Sequence, residues 1–354
     1  MKKIYFLLAA LILTGSVQAR AWRVCSQANQ HAHFLSVADA VASDQVLADD
    51  TLYIEPGHVE LGVLHITKKL HLVGPGYNYL LNDINAMDIR NAAFTEAVYL
   101  QASGTTVSGC KFAAVYNSVS STTICNCIMT QFLNNNNVSN ITLNNNFITG
   151  SGAYNYEILY FQLPLTASTI KNNIFWGRVH FNSSSDISFF NNTVIAAENS
   201  VNIVRGNLSN SLIYNNIIIN HSTYVNYNVS DDVAANRCLD AVPSNNNTII
   251  NNVFSCAPRA DYANSVFNAT LEGTLEWDNA TSLEEKFRHL ANGPAVGAGT
   301  NGTTCGAYGA VAGERPYTPA GIPQYRPYII DANVSDTPSE NNTVNASFKI
   351  KVQQ

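Results

Sequence analysis

One short pattern recurs seven times between residues 107 and 254: an apolar residue, two residues, Asn or Cys, one residue, and an apolar residue. It reads Val107/Cys110/Phe112, Ile124/Cys127/Met129, Thr142/Asn145/Phe147 and Ile170/Asn173/Phe175. It then continues as Phe189/Asn192/Val194, Ile213/Asn216/Ile218 and Ile249/Asn252/Phe254. Only Thr142 breaks the apolar rule, and the central positions are 17, 18, 28, 19, 24 and 36 residues apart. A helical repeat needs apolar residues at i, i+3, i+4 and i+7 over ten or more residues. These segments are instead short β-branched and aromatic runs punctuated by Asn, Ser and Gly, which predicts strands. Uneven spacing suits a coil whose turns accept insertions. The pattern therefore predicts an all-β parallel β-helix, each rung giving short strands to long parallel sheets.

The Asn position has a physical reason. Rungs stack about 4.8 Å apart. A side-chain amide in a buried turn can donate to one neighbouring rung, accept from the other, and satisfy the turn's own backbone. Cys110 and Cys127 fit the same ladder as small buried thiols. Phe112, Phe147, Phe175 and Phe254 are expected to stack inside as one column.

The flanks read as end structures. Phe34 to Val41 has helical spacing and is expected to cover the open apolar end of the coil. Strands follow at Thr51–Gly57, Leu64–Ile66 and Leu70–Val73, with His65 and His71 alternating outward. Between Gly293 and Gly309, glycines predict the tight turns of a terminal rung. From Pro316 a proline-rich stretch leads to a predicted hairpin, Tyr328–Val334 with Val344–Val352. The expected organisation is a signal peptide over 1–19, a β-helix with its N-terminal cap over 20–314, and a C-terminal extension over 315–354.

Composition narrows the class. Asp, Glu, Lys and Arg make up 12% of the 354 residues, and 45 residues are Asn. The formal charge is −6, or −8 without Lys2 and Lys3, so nothing in the chain attracts nucleic acid. Those two lysines, the apolar run Tyr5–Leu13 and the small residues near Ala19 read as a secretory signal. The run is too short to span a bilayer, and no later stretch is long and apolar enough. Export across the inner membrane is expected, to the periplasm, cell surface or medium, where disulfides form. The seven cysteines are an odd number without a C-x-x-C, and Cys238 with Cys256 is the best candidate pair.

With those segments in view, the chain resembles right-handed parallel β-helix proteins of the pectin-lyase-like superfamily, especially secreted Bacteroidetes-type members. The resemblance rests on Thr51–Gly57, Leu64–Tyr77, the repeated rungs and Gly293–Val311, and covers about residues 34–325. It implies the fold. It does not imply one activity, since the superfamily includes lyases, hydrolases, esterases, epimerases and adhesins.

No catalytic set of those enzymes is recognisable. A calcium-dependent lyase needs several carboxylates on one patch, and the acidic residues across 100–230 are Glu157, Asp186 and Glu198 alone. Ca²⁺ is thus implied only for a lyase, and no other cofactor is. Asp231 and Asp232 form the one adjacent acidic pair of the central region, within a long insertion without the companion motifs of a hydrolase. One cluster has recognition chemistry. Trp176, Arg178 and His180 alternate along a single segment. The preceding rung offers Tyr154, Tyr156, Glu157 and Tyr160, and the following one Asn202 and Arg205. Aromatic faces suit sugar rings, and Arg pairs bidentately with uronate carboxylates. The leading expectation is an exported protein that binds a polysaccharide or cell-surface glycan, with processing of that glycan as an added option. The alternatives are a non-catalytic adhesion scaffold and a divergent lyase or hydrolase.

Overall fold

The computed structural model describes residues 19–27, 31–77, 91–150, 157–196, 203–220, 238–239, 245–311, 314–321, 327–334 and 346–352. The expected signal segment, Tyr154, Tyr156, Asn202 and the Asp231/Asp232 pair lie outside these residues.

Two long parallel sheets wind through the chain, of 12 and 13 strands among the described residues. Successive strands fall by turns in the two sheets, so that each rung supplies both, which is the parallel β-helix expected from the repeat. In the first sheet, Leu52, Leu72, Val107, Ile124, Leu143, Ile170, Phe189, Ile213 and Ile249 stand in strict register. All nine point inward and are buried. In the second sheet the facing column is Phe94, Phe112, Met129, Ile148, Phe175, Val194, Ile218 and Phe254. Burying a side chain of this size contributes about 1.5–3 kcal/mol, repeated at every rung.

The rungs are turned by one recurring pair of residues. Gly109, Asn126, Asn145, Asn172, Asn191, Asn215 and Asn251 all adopt positive φ, between 52° and 67°. Gly and Asn enter this left-handed region most readily. The next residue points inward. Asn173 Oδ1 accepts from the Asn146 backbone N–H at 2.9 Å, while its Nδ2 donates to Leu143 O at 2.9 Å and Lys171 O at 2.8 Å. The same arrangement joins Asn146, Asn173, Asn192, Asn216 and Asn252 into one amide ladder. Cys110 and Cys127 occupy the earlier rungs, and Cys127 N–H donates to Asn146 Oδ1 at 3.0 Å.

One rung of the sequence alignment is displaced. Residue 146, not Asn145, supplies the ladder amide, because the register pairs Leu143 with Ile170. Thr142, the one exception to the apolar rule, is an outward residue paired with Thr123 and Thr169. The same shift of one moves Phe147 to the outer face and puts Ile148 inside, since successive strand residues face opposite ways. Three adjacent asparagines, Asn144 to Asn146, made the two registers indistinguishable from composition alone.

The N-terminal helix is short, Val37–Ala42, with Ser36 as its N-cap and Phe34 outside it in a bridge to Val24. Its buried residues join the main core. Glu60 reaches its first turn, accepting from Val37 N at 2.7 Å and Ala38 N at 3.0 Å, and contacts buried His58 at 2.8 Å.

The glycine-rich stretch before residue 310 is not a terminal rung. The described residues from Leu271 to Cys305 form a strap that lies against the outside of the second sheet. There Leu271, Leu275, Phe287, Ala295 and Cys305 cover Phe147, Ile174, Ile195, Ile217 and Ile219 in a second apolar core. Gly306 N–H donates to Asn215 O at 2.8 Å, so this strap rides on the turn column itself. It reaches back to the coil's start, where Tyr77 Oη donates to Glu284 Oε1 at 2.8 Å and Tyr317 Oη donates to the same oxygen. Tyr317 is buried. Beyond it, Pro327–Val334 and Ala346–Val352 pair antiparallel.

Candidate functional site

Rung-to-rung register brings outward residues of the second sheet into a continuous column. His65, Tyr99, Tyr116, Leu133, Tyr160, His180 and Arg205 occupy one register position on seven successive rungs. At about 4.8 Å per rung the column is roughly 29 Å long. His65 and Tyr99 stack at 4.9 Å and 12°, Tyr99 and Tyr116 at 4.8 Å and 14°, and Tyr160 and His180 at 4.9 Å and 22°. Strand residues at one register position stand parallel, which is why their rings lie face to face.

The cationic end is organised around one carboxylate. Glu157 pairs in register with Arg178, its carboxylate receives the Arg205 guanidinium, and His180 Nδ1 lies 3.4 Å from its Oε1. With Arg178 and Arg205 beside a single carboxylate, the cluster carries net positive charge. Gln131 fixes the start of this strand by donating to Glu157 O at 2.8 Å.

Of the residues singled out from sequence, Tyr160, Arg178, His180 and Arg205 come together here. Trp176 does not. Gly177 adopts φ 148°, where a Cβ would meet Ile158 at 2.7 Å, and the strand breaks into Ile174–Trp176 and Arg178–Phe181. The period-2 alternation is lost across that bend. Trp176 instead packs edge-on against Trp277 and Phe287 under the strap, at 6.3 and 6.2 Å. His65, Tyr99 and Tyr116 were not joined to the cluster from sequence, because their membership depends on rung register over more than a hundred residues. The stacked geometry also alters the expected mode of contact. Ring faces are turned toward each other along the column, so edges and polar tips face solvent.

Among the described residues, no three His, Cys, Asp or Glu side chains form a metal-binding group. No described helix is long and apolar enough to cross a membrane. A separate polar recess of about 260 Å³ lies on the strap, lined by Glu276, Asn279, Ala280, Thr281, Glu285 and Arg288. No family model matches the chain, and no curated protein is significantly similar to it.

Proposed function

We propose that the protein is exported and binds an extracellular polysaccharide along the outer column of the second sheet, with anionic sugars at the Arg178–Arg205 end. The observation that supports this is the column itself: seven registered positions, five of them aromatic, ending in a guanidinium-rich cluster. An extended glycan is a linear repeat and matches a linear array. Tyr hydroxyls and His ring edges can hydrogen-bond sugar hydroxyls, and a guanidinium can bind a uronate carboxylate through two parallel bonds. The resemblance to secreted pectin-lyase-like β-helix proteins is consistent with this reading.

Affinity electrophoresis on a panel of neutral and uronate-containing polysaccharides tests it. Retardation on uronate gels that is reduced tenfold or more by Arg205→Ala, and reduced severalfold by Tyr116→Phe, is expected. Loss of one charge-assisted bond of about 1.5–3 kcal/mol sets the first figure. Trp176→Ala should leave retention unchanged once folding is verified. No retention by the parent chain on any glycan would refute the proposal and leave a protein-contacting scaffold as the reading.

A further inference from the structure

The described cysteines fall into two kinds. Two of them serve the coil as buried thiols bonded to backbone carbonyls: Cys127 Sγ donates to Cys125 O at 3.2 Å, and Cys305 Sγ to Asn251 O at 3.1 Å. Burial pushes the Cys305 thiol up to about 12, where it is inert. Cys238 and Cys256 differ, because both lie in the same buried core and Cys238 Sγ stands 3.5 Å from Ser255 Oγ, the residue next to Cys256. Both residues are 2% exposed.

Their position gives the contact a consequence. Cys238 and Leu239 form the rung that backs the strand Val204–Arg205: Val204 N–H donates to Cys238 O at 3.0 Å, and Val204 bridges Leu239. On the other side, Tyr262 Oη donates to Leu239 O at 3.3 Å. This rung closes a long insertion and, among the described residues, is held by few backbone bonds. A covalent tie at Cys238 would secure it against the final strand, Val253–Phe254, which leads into Cys256.

We propose that Cys238 and Cys256 become a disulfide in the exported protein, and that this bond fixes the rung behind Arg205. Two thiols lose two protons and two electrons to a disulfide oxidant, either oxidised glutathione or a dithiol–disulfide oxidase. The Cys256 thiolate attacks one oxidant sulfur and releases the other as a thiol. Cys238 then attacks Cys256 Sγ in the mixed disulfide and releases the second oxidant thiol. The order follows from the surroundings. The neighbouring Cys238 thiol holds the Cys256 thiol below its usual value against the opposing effect of burial, with Arg259 assisting. Cys256 in turn, together with burial, pushes Cys238 up. The lower-pKa thiol supplies more thiolate and reacts first. Both sulfurs are covered in the native coil, so the oxidant reaches them as the rung docks, once Cys238 and Cys256 have come together.

The inference is independent of what the aromatic column binds. The full chain is refolded in a reduced/oxidised glutathione buffer, alkylated without reduction, digested and mass-mapped. A linked peptide containing Cys238 and Cys256, two hydrogens lighter than the two free peptides, is expected. Melting should occur several degrees higher for this form than after dithiothreitol treatment, as a closed loop of this length implies. Cys256→Ser should melt like the reduced parent and ignore dithiothreitol. Absence of the linked peptide would overturn the pairing. Equal melting of oxidised and reduced parent would overturn the role assigned to the bond.

Discussion

Replacing Asn173 by Ala tests the amide ladder directly. The Asn173 side chain is fully buried and makes five contacts across three rungs. Oδ1 accepts from Asn146 N and Nδ2, at 2.9 and 3.0 Å; Nδ2 donates to Leu143 O, Lys171 O and Asn192 Oδ1, at 2.9, 2.8 and 3.1 Å. Several partners keep a second bond: Asn146 Nδ2 also reaches Ile124 O, and Lys171 O also accepts from Asn145 N. The Asn146 backbone N–H is the group deprived of its acceptor. One orphaned buried donor costs about 1–3 kcal/mol, and the remaining lost bonds bring the expected total to about 3 kcal/mol. Asn126 is the comparison, since it stands at the preceding turn position with φ 53°. Its conformation, not its amide, is what the turn requires, so Asn126→Gly should change stability by less than about 0.5 kcal/mol. Asn173→Gly should lose at least as much as Asn173→Ala. Urea unfolding followed by far-ultraviolet circular dichroism measures all three. Equal costs for Gly at 126 and 173, or less than about 1 kcal/mol for Asn173→Ala, would refute the assignment of conformation to one position and hydrogen bonding to the next.

Three further outcomes follow from the packing. Phe287 is fully buried against Phe147, Trp176 and Trp277, at 5.5, 6.2 and 5.7 Å, so Phe287→Ala should cost about 3–5 kcal/mol and shift tryptophan emission to the red; unchanged emission would place the strap elsewhere. A Cβ on Gly306 would lie 2.6 Å from Ile217 and 2.8 Å from Thr193 at φ 87°, so Gly306→Ala should expose the strap to limited proteolysis while the coil stays intact. Burial raises the Glu60 carboxyl, but His58 and the N–H groups of Val37 and Ala38 together hold it below its ordinary value. A depressed folded value stabilises above the unfolded pKa and is lost as pH falls through the folded one, so Glu60→Gln should flatten the loss of stability between about pH 5 and 3.

The parts of this molecule that could be read from sequence are those fixed by neighbours along the chain. An inward apolar residue, a left-handed Asn and a ladder Asn lie within six residues of one another, so their chemistry repeats visibly even when rungs differ in length. Where three asparagines run together at Asn144–Asn146, that local signal is degenerate, and only the pairing of Leu143 with Ile170 decides it. The strap was misread for the converse reason. Its glycines have the composition of a turn, but what they accommodate is the close approach of a distant segment, as Gly306 against Ile217 and Thr193. The candidate site divides along the same line. Arg178 and His180 share a strand and could be grouped by alternation, whereas Trp176 falls on the other side of Gly177, and no alternation rule survives a bend at φ 148°. Tyr99 and Tyr116 belong with Tyr160 only through the accumulated register of every rung between them. A solenoid converts distances of tens of residues into contacts of about 4.8 Å. Each insertion that lengthens a rung leaves that conversion intact, so a column of side chains can stay aligned in space while its residues sit at irregular intervals in the chain.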